Sequence, residues 1–152
     1  MSASSSKINA ARLILNSLRG AAFTSLETPG GGMWQFHFGS VKLLIECPWR
    51  VVKKGIIALG ADDNGQKFGL PEPVSVLKEL PKLIQNLAVT DVKVDNETAD
   101  LSVHFGNEIR LDAFNDSSGY EGWTFRDADG IEIIATGGGE LAIWKRSHPA
   151  SE

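Results

Sequence analysis

The sequence predicts an α+β fold dominated by antiparallel sheet and built from an internally duplicated unit of one helix followed by strands. Two observations predict it: residues 34–58 and 101–135 follow the same pattern, and strand patterns clearly outnumber helix patterns. Each copy reads as an apolar strand, an HFG turn, a second apolar strand, a Trp and a hairpin. We therefore expect two similar halves with pseudo-twofold symmetry, 7–60 and 74–146, joined by a loop over 61–73.

Each predicted half opens with an amphipathic helix. Residues 7–18 place apolar side chains at helical spacing, and Gly20 follows where a helix would stop. Residues 74–87 show the same spacing, although Pro81 must either kink this helix or mark its first turn. The side chains expected to face the core are Ile8, Ala11, Leu15 and Leu18 in the first helix and Val74, Leu77, Leu80, Ile84 and Leu87 in the second.

The strands of each half follow its helix. A less regular strand comes first, over 21–28 and 89–95, and each ends in a polar or glycine-rich turn. Alternating apolar residues then predict two strands that share one buried face. The turn between these strands is one residue longer in the second half, and the apolar side chains still fall on the same face. The residues expected on that face are Trp34, Phe36, Phe38, Val41, Leu43, Ile45 and Cys47 in the first half and Leu101, Val103, Phe105, Ile109, Leu111 and Ala113 in the second.

Each half ends in a predicted hairpin, over 50–59 and 123–136. Matching the two copies aligns the apolar triplet 56–58 with the triplet 133–135. A final short strand, 141–144, has no counterpart in the first half.

Bulk composition bounds the class of protein. A chain of 152 residues with 42% hydrophobic residues is long enough for one domain with a real core. Its net charge of -4 and its dispersed cations disfavour nucleic acid as a partner, and no apolar run is long enough to span a membrane. One cysteine and no signal-like segment favour a cytoplasmic location. Residues 1–6 are expected to be disordered and residues 147–152 to form a polar tail.

His37 and His104 occupy the same place in the two copies, which raises the possibility of a shared metal site. Pairing across the two turns sets His37 opposite Lys42 and His104 opposite Arg110. Each cation would lower the pKa of the imidazole and repel a divalent metal. We therefore predict no metal and no cofactor, and we keep both histidines and Arg110 as candidate binding residues.

Other residues that could support catalysis have simpler structural interpretations. Alternation places Cys47 on the buried face, where a free thiol behaves as a small apolar group. Carboxylates on outward strand positions are typical of a solvated surface, and the glycine runs at 30–32 and 137–139 lack the residues of a phosphate loop. The sequence therefore indicates no catalytic residue.

The best candidate for a contact surface is the loop 115–122, together with the link at 61–69. This loop, NDSSGYEG, is the insertion that interrupts the repeated framework, and such departures often carry function. Its candidate binding residues are Asp116, Tyr120 and Glu121.

Two motifs near the C-terminus, YEGW at 120–123 and GGGELAIW at 137–144, resemble a signature of small bacterial proteins of unknown function. Those proteins carry YEAW-type and PGGxLAxW-type elements, and some are suspected to be immunity proteins that neutralise toxins by binding them. This chain has Gly122 in place of the alanine and Thr136 in place of the proline. The resemblance implies a binding role and no catalytic residues.

We therefore expect a bacterial, non-enzymatic, immunity-like protein that binds a basic protein partner, with neither nucleic acid nor membrane as a partner. The alternative is a small-molecule-binding protein or enzyme with a cleft between the two halves. A monomer and a homodimer formed through an open strand edge are both compatible with the sequence.

Overall fold

A computed structural model describes residues 2–145, with side chains from Ser6 onward. The predicted polar tail at 147–152 lies outside the described residues. The described part contains two α-helices and eleven strands in antiparallel sheets, which confirms the α+β class. The elements are α1 (Ser2–Leu15), β1 (Ser25–Gly30), β2 (Met33–Phe38), β3 (Val41–Ile45), β4 (Trp49–Lys53), β5 (Ile56–Gly60), α2 (Val76–Ile84), β6 (Asp91–Val94), β7 (Leu101–His104), β8 (Ile109–Ala113), β9 (Trp123–Arg126), β10 (Ile131–Gly137) and β11 (Glu140–Lys145).

The strands form a first sheet in the order β1-β2-β3-β9-β10-β11 and a second in the order β5-β4-β8-β7-β6. The first sheet takes β1–β3 from the first half of the chain and β9–β11 from the second, and the second sheet takes β6–β8 from the second half and the β4–β5 hairpin from the first. The two halves are therefore interleaved, and neither half forms a sheet of its own. Read from β6, the second sheet repeats the order of the first without a sixth strand. The duplication and its pseudo-twofold axis stay a prediction.

Strand pairing corrects the alignment of the two hairpins. Leu59 pairs with Val51, and Ile133 pairs with Phe125, so Leu59 occupies in its hairpin the place that Ile133 has in the other. The sequence matched Ile133 with Ile56 instead. The shift has two causes. Lys54 and Gly55, both at positive φ, close the first hairpin in a two-residue turn, whereas the second uses a longer turn, and the β4–β5 ladder also shifts by one residue at Ala58.

The four side chains that the helical spacing predicted for the first helix are buried, three of them on α1 and Leu18 on the 3₁₀ turn that follows it, although the bounds of the helix differ from the prediction. Helix α1 begins at Ser2, so residues 2–6 are helical where disorder was expected for residues 1–6: the serines and alanine of this stretch include no Pro or Gly that would stop a helix. The α-helix ends at Leu15, and a 3₁₀ turn continues it to Leu18.

Helix α2 is shorter than the predicted 74–87. It buries Val76, Leu80 and Ile84, whereas Leu77, which we expected to face the core, is 43% exposed. Pro81 lies inside the helix, and Asn86 at a φ of 65° follows its end. No helix among residues 2–145 is long and apolar enough to cross a membrane.

The core lies between the two sheets, and the predicted aromatic residues form it. Trp34 and Phe36 both pack edge-on against Trp49, with ring centroids 5.8 and 5.2 Å apart respectively. Trp123 is fully buried, and its Nε1 donates a hydrogen bond to the carbonyl oxygen of Ala99 at 2.9 Å. The indole nitrogen of Trp49 has no such partner among the described residues.

Candidate functional site

The loop 115–122 connects β8 in the second sheet to β9 in the first. Its start is fixed by Asn115, whose backbone N–H donates to the Asp100 carboxylate and whose side-chain amide donates to the Thr98 carbonyl oxygen, both at 2.9 Å. Within the loop, the Ser117 hydroxyl oxygen accepts the backbone N–H of Tyr120 at 2.9 Å. These bonds hold the backbone while the Tyr120 side chain is left 84% exposed.

Carboxylates surround this tyrosine. Glu46, Asp116 and Glu121 line, together with Tyr120, a shallow cleft of about 290 Å³. No Lys, Arg or His is among the residues described as lining it. Partial burial and the nearby Glu121 carboxylate raise the pKa of Glu46 above its ordinary value. The site therefore concentrates negative charge beside one exposed aromatic ring.

Gly122 ends the loop where there is no room for a side chain. Its carbonyl oxygen accepts the backbone N–H groups of Glu46 and Cys47, and its own N–H donates to Ala135. A Cβ at this position would lie 1.8 Å from Oδ1 of Asn115. The alanine of the resembling signature therefore does not fit here unless the Asn115 side chain moves.

The glycines of the β10–β11 turn bring two loops together. Gly137 and Gly139 have positive φ, and a Cβ on either would lie within 3 Å of backbone atoms of Gly119 or Glu97. The backbone N–H of Gly138 also donates to the Ser117 carbonyl oxygen at 2.9 Å. Gly137 and Gly138 thus contact the loop 115–122, and Gly139 contacts the turn at Glu97. Side chains at these positions would clash or be strained, which explains why all three residues are glycine.

Cys47 is buried, as its position on the strand pattern predicted. Burial, with a further contribution from the Asp116 and Asp100 carboxylates, raises the pKa of its thiol to about 12. A thiol with this pKa stays protonated at neutral pH, so Cys47 is not poised as a nucleophile.

His37 lies on the outer face of the first sheet, paired with Lys42 as predicted. Its Nε2 contacts Oε2 of Glu27 and lies 3.4 Å from the side-chain nitrogen of Gln35. Glu27, on the neighbouring strand β1, was not singled out by the sequence. In the β1–β2 ladder Glu27 pairs with Gln35, two residues before His37, and this pairing brings its carboxylate to the imidazole.

His104 lies on the outer face of the second sheet, paired with Arg110 as predicted. Its Nε2 is 3.1 Å from the Ser102 hydroxyl, which donates a hydrogen bond to the Asp112 carboxylate at 2.9 Å. Burial lowers the pKa of His104, and the Lys93 ammonium lowers it further. The imidazole is therefore mainly neutral at pH 7.

Asp112 is the centre of this outer face. Its outward strand position predicted a solvated carboxylate, as for the other acidic residues on such positions, and for Asp112 that prediction was wrong because its hydrogen-bond partners bury the carboxylate. It is 6% exposed, and its carboxylate accepts hydrogen bonds from Nε of Arg50 at 3.2 Å and Nε of Arg110 at 3.1 Å. The Arg50 guanidinium also lies 4.6 Å from the centre of the Phe114 ring. Asp112 thus links strands β4, β7 and β8 through charged hydrogen bonds.

The six predicted binding residues lie in three separate places. Asp116, Tyr120 and Glu121 share the loop surface, whereas His37 belongs to the outer face of one sheet and His104 and Arg110 to that of the other. Among residues 2–145 no cluster of three or more His, Cys, Asp or Glu side chains has the geometry to hold a metal ion.

No family model, curated protein or solved structure matches this chain. The resemblance of the YEGW and GGGELAIW motifs to the bacterial signature therefore stays a prediction.

A larger cavity lies against the link between the halves. It has a volume of about 540 Å³ and is formed by β5, α2 and the chain between them. Two of its lining residues, Asp63 and Phe68, fall in the stretch 61–69 that the sequence proposed as a contact surface. Leu70 and Leu83 also line the cavity and were not predicted. The apolar segment Phe-Gly-Leu-Pro within an otherwise polar loop could have indicated Leu70.

Proposed function

We propose that this protein is a non-enzymatic binding protein that docks a basic protein partner on the loop 115–122. The observation that carries the proposal is the exposed ring of Tyr120 within a group of three carboxylates, Glu46, Asp116 and Glu121. Tyrosine is common at binding hot spots because its ring buries a large area at a small cost in side-chain entropy. Clustered carboxylates attract a cationic surface and accelerate association.

The mechanism would be occlusion. Partial burial is the main cause of the raised pKa of Glu46, and repulsion between the like charges of Glu46 and Glu121 in the free protein adds to it. A Lys or Arg of the partner placed between them would remove that repulsion, and Tyr120 would anchor the contact. An immunity-like role, in which the bound partner is a toxin whose active surface is covered, fits this mechanism.

The test is affinity capture by the tagged protein from lysate of its own host, followed by binding measurements on the recovered partner. We expect one basic protein, bound at low salt and released at high salt, because screening weakens contacts between exposed charges. Tyr120→Ala and Glu121→Gln should each weaken its binding, whereas Leu13→Ala, which truncates an exposed apolar side chain on α1, should not. Equal affinity for the wild type and both loop variants would exclude this surface.

The alternative function, a small-molecule-binding protein or enzyme with a cleft between the halves, has less support. The interleaved strands bring the two halves together around a shared core of buried apolar side chains. The cavity of about 540 Å³ between β5 of the first half and α2 of the second is lined largely by apolar residues. The His104 and Asp112 cluster is the best polar site for this alternative. Asp112 already accepts hydrogen bonds from Arg50, Arg110 and Ser102 there.

A further inference from the structure

The second sheet has one strand fewer than the first. In the first sheet, β9 pairs with β10, and β10 pairs with β11. In the second sheet, β8 pairs with β4, β4 pairs with β5, and in the described residues β5 has no other neighbour. The outer edge of β5 is therefore the place where the second sheet lacks the strand that β11 supplies to the first.

This edge is not protected in the usual way. Exposed edge strands commonly carry charged residues or proline that discourage pairing with another chain. The edge strand β5 has the sequence IIALG, and its Ile56 and Ile57 side chains are 69% and 59% exposed. Apolar residues on an open edge favour the addition of a further strand.

Space for that strand is present between β5 and α2. In the first sheet β11 contacts α1 and buries Leu141. Beside β5, the cavity of about 540 Å³ is bounded by Ala58 and Leu59 of β5 on one side and by Leu83 of α2 on the other. A volume in this range can hold several side chains of a bound peptide.

The mouth of the cavity is apolar as well. Phe68 and Leu70 line it, and their side chains are 69% and 54% exposed. Phe68 has a φ of 47°, a left-handed conformation that is unfavourable for a residue with a bulky side chain. Strained backbone of this kind is concentrated at binding and functional sites.

The charges around the cavity indicate the chemistry of its occupant. Asp63, Glu72 and Glu79 line it together with a single cation, Lys82. The three carboxylates outnumber the one ammonium group, so a bound segment with a Lys or Arg beside its apolar residues is favoured.

We infer that the outer edge of β5 binds an extended peptide segment of a partner protein as a sixth, antiparallel strand. An apolar side chain of that segment fills the cavity between β5 and α2, and a basic side chain lies at its acidic rim. The main-chain hydrogen bonds provide affinity, and the cavity provides selectivity. This site is separate from the Tyr120 surface and does not depend on it.

The probe is a capped synthetic peptide with the sequence of residues 140–146, ELAIWKR, which includes the whole of β11 and ends in two basic residues. Two further peptides carry N-methyl groups on alternate residues, one in each phase. In an extended strand, alternate N–H groups point to opposite sides, so only one phase of methylation blocks pairing with β5. Binding to the full chain is measured by titration, and amide hydrogen exchange locates the bound peptide.

We expect slower exchange on peptide binding at those amides of residues 56–59 that point away from β4, because the others are already paired with β4 and the Gly60 N–H already donates to the Asp63 carboxylate. Binding should be abolished by one methylation phase and retained by the other. The double variant Phe68→Ala/Leu70→Ala should weaken binding about tenfold, as expected for loss of apolar anchors. Leu13→Ala is the control, since it removes from α1 an apolar side chain that is also more than half exposed and does not line the cavity. Both changed positions are more than half exposed, so circular dichroism should show an unchanged fold.

Several outcomes would overturn the inference. The first is no binding at peptide concentrations up to about 1 mM, the weak end of specific affinities. The second is equal binding of both methylated peptides, or protection confined to residues outside β5. The third is a concentration-dependent dimer that protects the same amides of residues 56–59 without peptide, since the occupant would then be a second copy of this chain. None of these outcomes affects capture of a basic partner on the Tyr120 surface.

Discussion

Phe38 and Phe105 stack on each other in the core, with ring centroids 6.2 Å apart and ring planes 22° apart. Each follows the histidine of its HFG motif, so the equivalent residues of the two sequence copies meet directly. The adjacent histidines alternate to the other face of their strands. This is why His37 and His104 lie on the outer faces of different sheets while the phenylalanines pack together.

This stack predicts energetic coupling between the two positions. Replacement of either Phe by Ala should lower the free energy of unfolding by about 3–5 kcal/mol, because it removes a buried ring and leaves a cavity. In a double-mutant cycle with Phe38→Leu and Phe105→Leu, the coupling should be about 0.5–1.5 kcal/mol. Urea denaturation of the four proteins measures it. Additive effects would show that the two rings contribute independently.

Asp112 is predicted to hold the outer face of the second sheet together. Asp112→Asn should lower the free energy of unfolding by about 1–3 kcal/mol, because two guanidinium groups lose their shared anion. The value is at the low end for a buried ion pair because the side chains of Arg50 and Arg110 are 36% and 40% exposed. Glu108→Gln, at an exposed position, is the control for loss of a charge. An equal effect of both changes would contradict this role.

His104 should make stability depend on pH. Because burial and Lys93 lower the pKa of His104 in the folded state, the unfolded chain binds its proton more readily. Stability should therefore fall as pH decreases from about 7 through the ordinary histidine pKa near 6.5. In His104→Gln this part of the pH dependence should be smaller, as measured by denaturation between about pH 5 and pH 8. If stability depends on pH in the same way in His104→Gln, other groups cause that dependence.

Gly122 is predicted to be required by packing. Gly122→Ala should destabilise the protein by about 1–3 kcal/mol, the usual cost of forcing extra volume into a packed site. The matched control is Gly119→Ala, where an added Cβ meets no atom within 4 Å. Thermal melting of both variants tests this difference. A neutral Gly122→Ala would mean that Asn115 can reorient without cost.

The pKa of Glu46 should depend on a neighbouring carboxylate at the Tyr120 surface. Glu121→Gln should lower the pKa of Glu46 toward its ordinary value, because it removes the nearby negative charge. Asp116→Asn should instead lower the pKa of Cys47, to which Asp116 contributes, and leave the pKa of Glu46 nearly unchanged. NMR titration of the side chains separates these effects. The reverse pattern would show that the carboxylates are arranged differently in solution.

The sequence by itself determined the elements and their buried faces. Apolar side chains at helical spacing located α1, and strict alternation located the inward rows that include Phe36, Leu43 and Val103. The lengths of the turns after His37 and His104 were enough to predict that each histidine pairs with a cation on the next strand. These features depend on local periodicity, which the order of residues encodes directly.

Only the tertiary structure decided how the elements combine. The exchange of hairpins between the sheets, the burial of Asp112 beneath two arginines and the open edge of β5 all depend on residues far apart in the chain. Periodicity states which face of a strand is buried, but not which strand lies beside it. Neighbours are selected by the combined packing of all the buried faces, and that packing left β5 without a sixth strand beside it in the described chain.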